Sequence, residues 1–109
     1  MHVQIIQFTL RDMDEDGYRA ACAQLAPAFA ELPGLLAKVW LADPETNTYG
    51  GVYLFEDRAA MEGYAGSELF RTVAAVPHFE DITSRDFAVY EDLTRVTLPG
   101  VEVLARAAA

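Results

Sequence analysis

The 109-residue sequence holds one cysteine, Cys22, so neither an intrachain disulfide nor a cysteine-rich metal cluster can form. A lone thiol suits a reducing cytoplasm, which is the expected location. Basic residues are also scarce. Eight Lys plus Arg stand against 17 Asp plus Glu, for a formal net charge of −9. Nucleic-acid phosphates and anionic membranes both require clustered cations, so neither partner is expected. No apolar run approaches the roughly 18–20 residues that span a bilayer, and the opening MHVQIIQFTLRDMDED does not read as a signal peptide. Phosphate-cradling glycine motifs and the G-x-S-x-G elbow are missing. His2 and His78 stand far apart and outside any metal-ligand spacing, so no metal site is expected.

What is present is a globular composition, 52% hydrophobic and 23% charged, in a length suited to one domain. Residues 2–10 (HVQIIQFTL) read as a strand with Val3 and Ile5 on one face and Ile6, Phe8 and Leu10 on the other. Residues 14–32 read as a helix capped by Asp14, with an apolar stripe through Tyr18, Cys22, Leu25, Phe29 and Leu32. Pro27 is expected to kink it or break one turn. Residues 35–42 and 49–56 read as a hairpin around the turn 43–48. Gly50 and Gly51 suggest a bulge or a close approach to the backbone. Residues 57–76 read as one helix capped by Asp57, or as two short helices with Ser67 capping the second. Residues 80–91 read as a fourth strand. The domain is expected to span 1–97, with 98–109 a C-terminal tail.

The order β-α-β-β-α-β predicts an α+β, ferredoxin-like fold: a four-stranded antiparallel sheet with two helices on one face. Two helices cover only one face, yet several strands are apolar on both. The second face is therefore expected to meet a second copy in a two-fold homodimer, making a barrel across the interface. A monomer whose tail covers the sheet is the alternative.

Strands two and three carry the candidate chemistry. Lys38 and Trp40 share a face. A lysine inside the apolar run LLAKVWLA either snorkels to the sheet edge or lines a pocket as an oxyanion partner. Trp40 is either core or a ring for stacking a flat ligand. Tyr49, Tyr53 and Phe55 share a face of strand three, and a pocket of aromatics with few polar groups suits a small aromatic molecule. Whether Tyr53 joins Lys38 depends on hairpin register. Arg85 and His78 are outlying candidates for a ligand contact. An element-boundary histidine such as His2 is expected at the surface. Cys22 reads as a buried, inert thiol, with only Arg19 among basic residues within a helical turn.

The runs PGLLAKVW (33–40), GGVYLF (50–55) and F-x-V (87–89), with Gln7-Phe8 and DLTRVT (92–97), resemble the YdhR-type monooxygenase family. That family belongs to the dimeric α+β barrel superfamily, alongside the antibiotic-biosynthesis monooxygenases. The resemblance covers residues 3–97. It implies a cofactor-independent monooxygenase acting on a small aromatic, phenolic or quinone-like substrate, in which the substrate anion activates oxygen while the protein binds, orients and deprotonates. On that reading Lys38 is the oxyanion partner, Tyr53 a hydrogen-bond donor, and Trp40 and Phe55 stacking walls. Haem-degrading relatives use an Asn, a Trp and a His in a set arrangement. Here the Trp is on a strand and Asn47 in a turn, so haem degradation is not expected. A non-catalytic small-molecule-binding dimer and a polyketide cyclase or isomerase on the same fold are the alternatives.

Overall fold

The structure, a computed structural model, describes residues 1–98. Its elements are β1 (His2–Leu10), α1 (Glu15–Ala30), β2 (Leu35–Asp43), β3 (Thr48–Phe55), α2 (Arg58–Ala65), α3 (Glu68–Ala74), β4 (Phe79–Ala88) and α4 (Glu91–Thr97). The strands form one antiparallel sheet in the order β2-β3-β1-β4. This is the ferredoxin-like arrangement expected from the element order.

The helices begin where their caps dictate. Asp14 Oδ1 accepts from the Gly17 N–H at 2.7 Å and Asp57 Oδ1 from the Ala60 N–H at 2.8 Å. Ser67 Oγ accepts from the Phe70 N–H at 3.1 Å and so separates α3 from α2. Each cap satisfies a donor that the first turn leaves free. Pro27 lies inside α1, which runs through it from Glu15 to Ala30. It lies in an exposed stretch near the helix end. There the Ala23 carbonyl that loses its partner can turn to water, and the Glu31 N–H closes onto Phe29 and Pro27.

The C-terminal region differs from the sequence reading. Strand β4 stops at Ala88, short of the expected residue 91, and Glu91–Thr97, where no helix was expected, form α4. An i,i+4 pair, Arg95 Nη2 to Glu91 Oε1 at 2.9 Å, and a 3.3 Å pair from the N-terminal ammonium to Glu91 hold this turn of chain near β1. The rest of the expected tail, 99–109, lies outside the described residues.

The core sits between the sheet and the helices. Ile6, Phe8, Tyr49, Tyr53 and Phe55 from the sheet meet Tyr18, Phe29, Met61 and Tyr64 from the helices. His2 is also buried on this side, not at the surface, because its Nε2 pairs with Asp86 Oδ2 at 2.6 Å across β1 and β4. The opposite face is bare among the described residues. Val3, Ile5, Val52 and Leu54 are half-buried there, and Val39 and Phe87 are 58% and 43% exposed.

Candidate active site between the first helix and the edge hairpin

Pairing register decides which side chains of the hairpin meet. Lys38 lies opposite Tyr53, and Trp40 opposite Gly51. Alternation then puts Lys38, Trp40 and Tyr53 on the face turned toward α1. Gly51 leaves room for this. A Cβ there would stand 3.0 Å from Lys38 Cε and 3.1 Å from Tyr53 Cε1. The neighbouring Gly50, at φ +148°, answers a different need: a Cβ would lie 1.9 Å from the Ile6 carbonyl oxygen of β1. Both are places of close approach. The register shifts of the sheet lie elsewhere, at Leu35/Ala37 and Gln7/Thr9.

Lys38 thus folds inward instead of reaching for the sheet edge. Its Nζ lies 3.4 Å from the centroid of Phe29, 3.5 Å from Trp40 and 4.7 Å from Tyr53. No carboxylate or hydrogen-bond acceptor among the described residues engages it. The ring faces attract the ammonium. Burial works against it and pulls its pKa down to about 7.

The wall opposite comes from α1. Burial pushes the Cys22 thiol up, while the Tyr18 hydroxyl and the Lys38 charge partly offset this. The thiol therefore stays protonated at neutral pH, as expected of an inert cysteine. Burial also raises Tyr18 and Tyr53, with Cys22 adding to the first and Tyr64 to the second, so both phenols remain neutral donors. The Tyr64 ring lies 5.3 Å from that of Tyr53.

Three spaces meet at Trp40. One cleft, about 360 Å³, opens between Glu15, Arg19 and Ala42. A second, about 320 Å³, lies between Ala26, Ala30 and the stretch from Leu35 to Lys38. Behind Trp40, under Leu25 and Phe29, is an inner cavity of about 20 Å³. Lys38, Phe29 and Trp40 border both the second cleft and the inner cavity.

Of the residues picked from sequence, Lys38, Trp40 and Tyr53 come together here. Phe55 is fully buried behind Tyr53, 6.1 Å away and nearly parallel, and borders none of these three spaces. Tyr49 meets Tyr18 edge-on at 4.9 Å, four residue pairs along the hairpin from the lysine. Arg85 pairs with Ile5 on the bare face, with its guanidinium 5.2 Å from Phe87. His78 bridges strand ends, its Nδ1 2.8 Å from the Arg11 carbonyl oxygen. Sequence reasoning recognised Tyr18, Cys22 and Phe29 as a helix stripe but not as this pocket's wall. The step of four from Tyr18 to Cys22 was visible; the strand pair it faces was not.

A family model described as "Putative mono-oxygenase ydhR" matches residues 3–99. No curated protein matches the chain. Among solved structures, a "putative antibiotic biosynthesis monooxygenase" from Deinococcus radiodurans superimposes with a TM-score of 0.70 at 14% identity, over 84% of this chain and 94% of that one. SnoaB, a cofactor-independent oxygenase from Streptomyces nogalater, gives 0.66 at 16% identity, over 83% and 93%. The heme-degrader MhuD from Mycobacterium tuberculosis, solved with two hemes in its active site, gives 0.67 at 20%, over 83% and 96%. At these identities the likeness is one of fold.

Proposed function

Because the chain belongs to the ydhR mono-oxygenase family, we propose that it is a cofactor-independent oxygenase for a small phenol or hydroquinone, with its active site between α1 and the β2–β3 hairpin. The observation that carries this is Lys38: an amine without an anionic partner among the described residues, held among Phe29, Trp40 and Tyr53. A phenol needs such a group twice. The neutral amine takes the phenolic proton, and the resulting ammonium pairs with the phenolate. A pKa of about 7 makes both forms accessible near neutrality. The second cleft, about 320 Å³, has the size of a small-ligand pocket and ends at Lys38.

The overall reaction balances without an external reductant. A phenol with a free ring position and one dioxygen give a quinone and one water. The phenolate supplies the electrons, and Lys38 holds the phenolic proton until the outer peroxide oxygen takes it. Trp40 and Phe29 provide the faces that orient the ring. The bare sheet face supports a homodimer, with the active sites on the outer, helix-covered side of each sheet.

The test is oxygen uptake by purified, metal-stripped protein with a panel of dihydroxy-aromatics. Uptake above the protein-free rate, abolished in Lys38→Ala and Trp40→Ala variants that stay folded, is the expected result. Full activity in both variants removes the assignment. A second reading, a non-catalytic binding dimer, is favoured by one feature. The first cleft could hold an apolar molecule against Trp40 without its reaching Lys38. Saturable binding with no oxygen uptake across the panel would select it.

A further inference from the structure

We propose that the inner cavity behind Trp40 is the dioxygen site, with Lys38 standing between it and the organic substrate. The catalytic meaning of this rests on the oxygenase reading above. At about 20 Å³ the cavity holds roughly one water-sized molecule, which excludes an aromatic ring. Most of its exposed wall is carbon, from Leu25, Phe29, Val73 and Phe79 among others, with Tyr18, Cys22, Lys38 and Tyr53 also bordering it. A small apolar diatomic loses nothing there.

The position fits the chemistry. Lys38, Phe29 and Trp40 form a partition shared by the cavity and the second cleft, so the two reactants would meet across the ammonium. One electron passes from the phenolate to dioxygen, leaving a phenoxyl radical and superoxide. Negative charge thereby moves from one side of Lys38 Nζ to the other. A cation fixed between the two sites stabilises it throughout without rearranging. The radical pair joins to form the C–O bond. The outer oxygen takes the proton held by Lys38, and water leaves with the ring hydrogen, giving the quinone.

The test uses dioxygen itself as the probe. Methyl relaxation is measured by NMR on the full chain under oxygen pressure, with nitrogen as control. The methyl groups of Ala21, Leu25 and Val73, which border the cavity, are expected to relax several-fold faster under oxygen than those of Leu69. Leu69 is likewise half-buried and packed against the core but does not border it. Equal enhancement at all four positions overturns the proposal. This readout needs no turnover, so it is independent of the oxygenase reading. A second arm fills the cavity with Ala21→Leu. With an active substrate in hand, the KM for dioxygen is expected to rise about tenfold while the aromatic binds unchanged. An unchanged KM for dioxygen in a folded variant would also overturn it. Oxygen-enhanced relaxation in a protein that turns over nothing would leave the gas site and remove the oxygenase.

Discussion

Lys38 carries a cost in stability that can be measured. Its folded pKa, about 7, lies below its ordinary value of 10.5, and burial is the cause. Below the folded value both states hold the proton, and the native state bears the full cost of the buried ammonium. Between the two values the unfolded chain binds more protons, so stability rises with pH. Lys38→Met is therefore expected to raise Tm by roughly 5 °C at about pH 6, with the gain fading toward about pH 10. Thermal melts across pH check this, and a flat difference would show that the amine is not held as described. Activity should move differently. The neutral amine is the base, so kcat/KM should rise through about pH 7. Lys38→Arg keeps the charge but cannot lose its proton, and should abolish that limb. Gly51→Ala crowds Lys38 Cε and Tyr53 Cε1 from 3.0 and 3.1 Å. It should lower kcat several-fold while costing less than about 2 kcal/mol in urea denaturation. At this scale the sequence showed half the site. Strand alternation put Lys38 and Trp40 on one face, but the hairpin register that adds Tyr53 depends on long-range pairing. The lysine beside Cys22 likewise comes from another element, so counting neighbours along the helix could not find it.

Among the elements, those with chemical start signals were legible and those without were not. Asp14, Asp57 and Ser67 are side-chain caps, and each begins a helix where the sequence indicated. Ser67 does more than begin one. It ends the α2 turn as well, its hydroxyl donating to the Tyr64 carbonyl at 2.6 Å. Ser67→Ala should cost about 1 kcal/mol in chemical denaturation, and Ser67→Gly only a few tenths. Equal losses in both would mean that the cap is not the source of the stability. Helix α4 was missed because its N-cap, Tyr90, offers no side-chain hydrogen bond. Seven residues are also too few for an apolar period to declare itself. Pro27 sits within α1 because the cost of a proline depends on whether the carbonyl it orphans is dry. At the exposed end of α1 it is not.

At the scale of the whole molecule, the two faces of the sheet pose different problems. One is closed by α1 and α2 and contains the proposed chemistry. On the other, Val39, Val52 and Ile5 form a row across three strands, and Leu54, Val3 and Phe87 form the next. Exposed apolar side chains of α4 add to the uncovered surface, with Tyr90 80% and Val96 79% exposed. A stable self-association needs roughly 800 Å² from each partner, and a four-stranded face can supply it. Two copies each carrying a net charge of −9 also repel, so burial and charge oppose one another. Salt screens the repulsion but leaves the apolar contact intact. The homodimer proposed above should therefore tighten as salt is added. Val39→Glu, which adds a charge to the exposed apolar face on its edge strand β2, should yield monomers. Sedimentation equilibrium of both proteins at low and high salt measures this. A monomer at every concentration of the parent protein, or a dimer in Val39→Glu as tight as the parent's, would place the interface elsewhere or remove it. Val39 points away from Lys38 across the sheet, so the monomeric variant should keep the lysine's pKa near 7 in NMR titration. If that value climbs toward 10.5 on dissociation, the pocket depends on the second copy, and each active site belongs to the dimer.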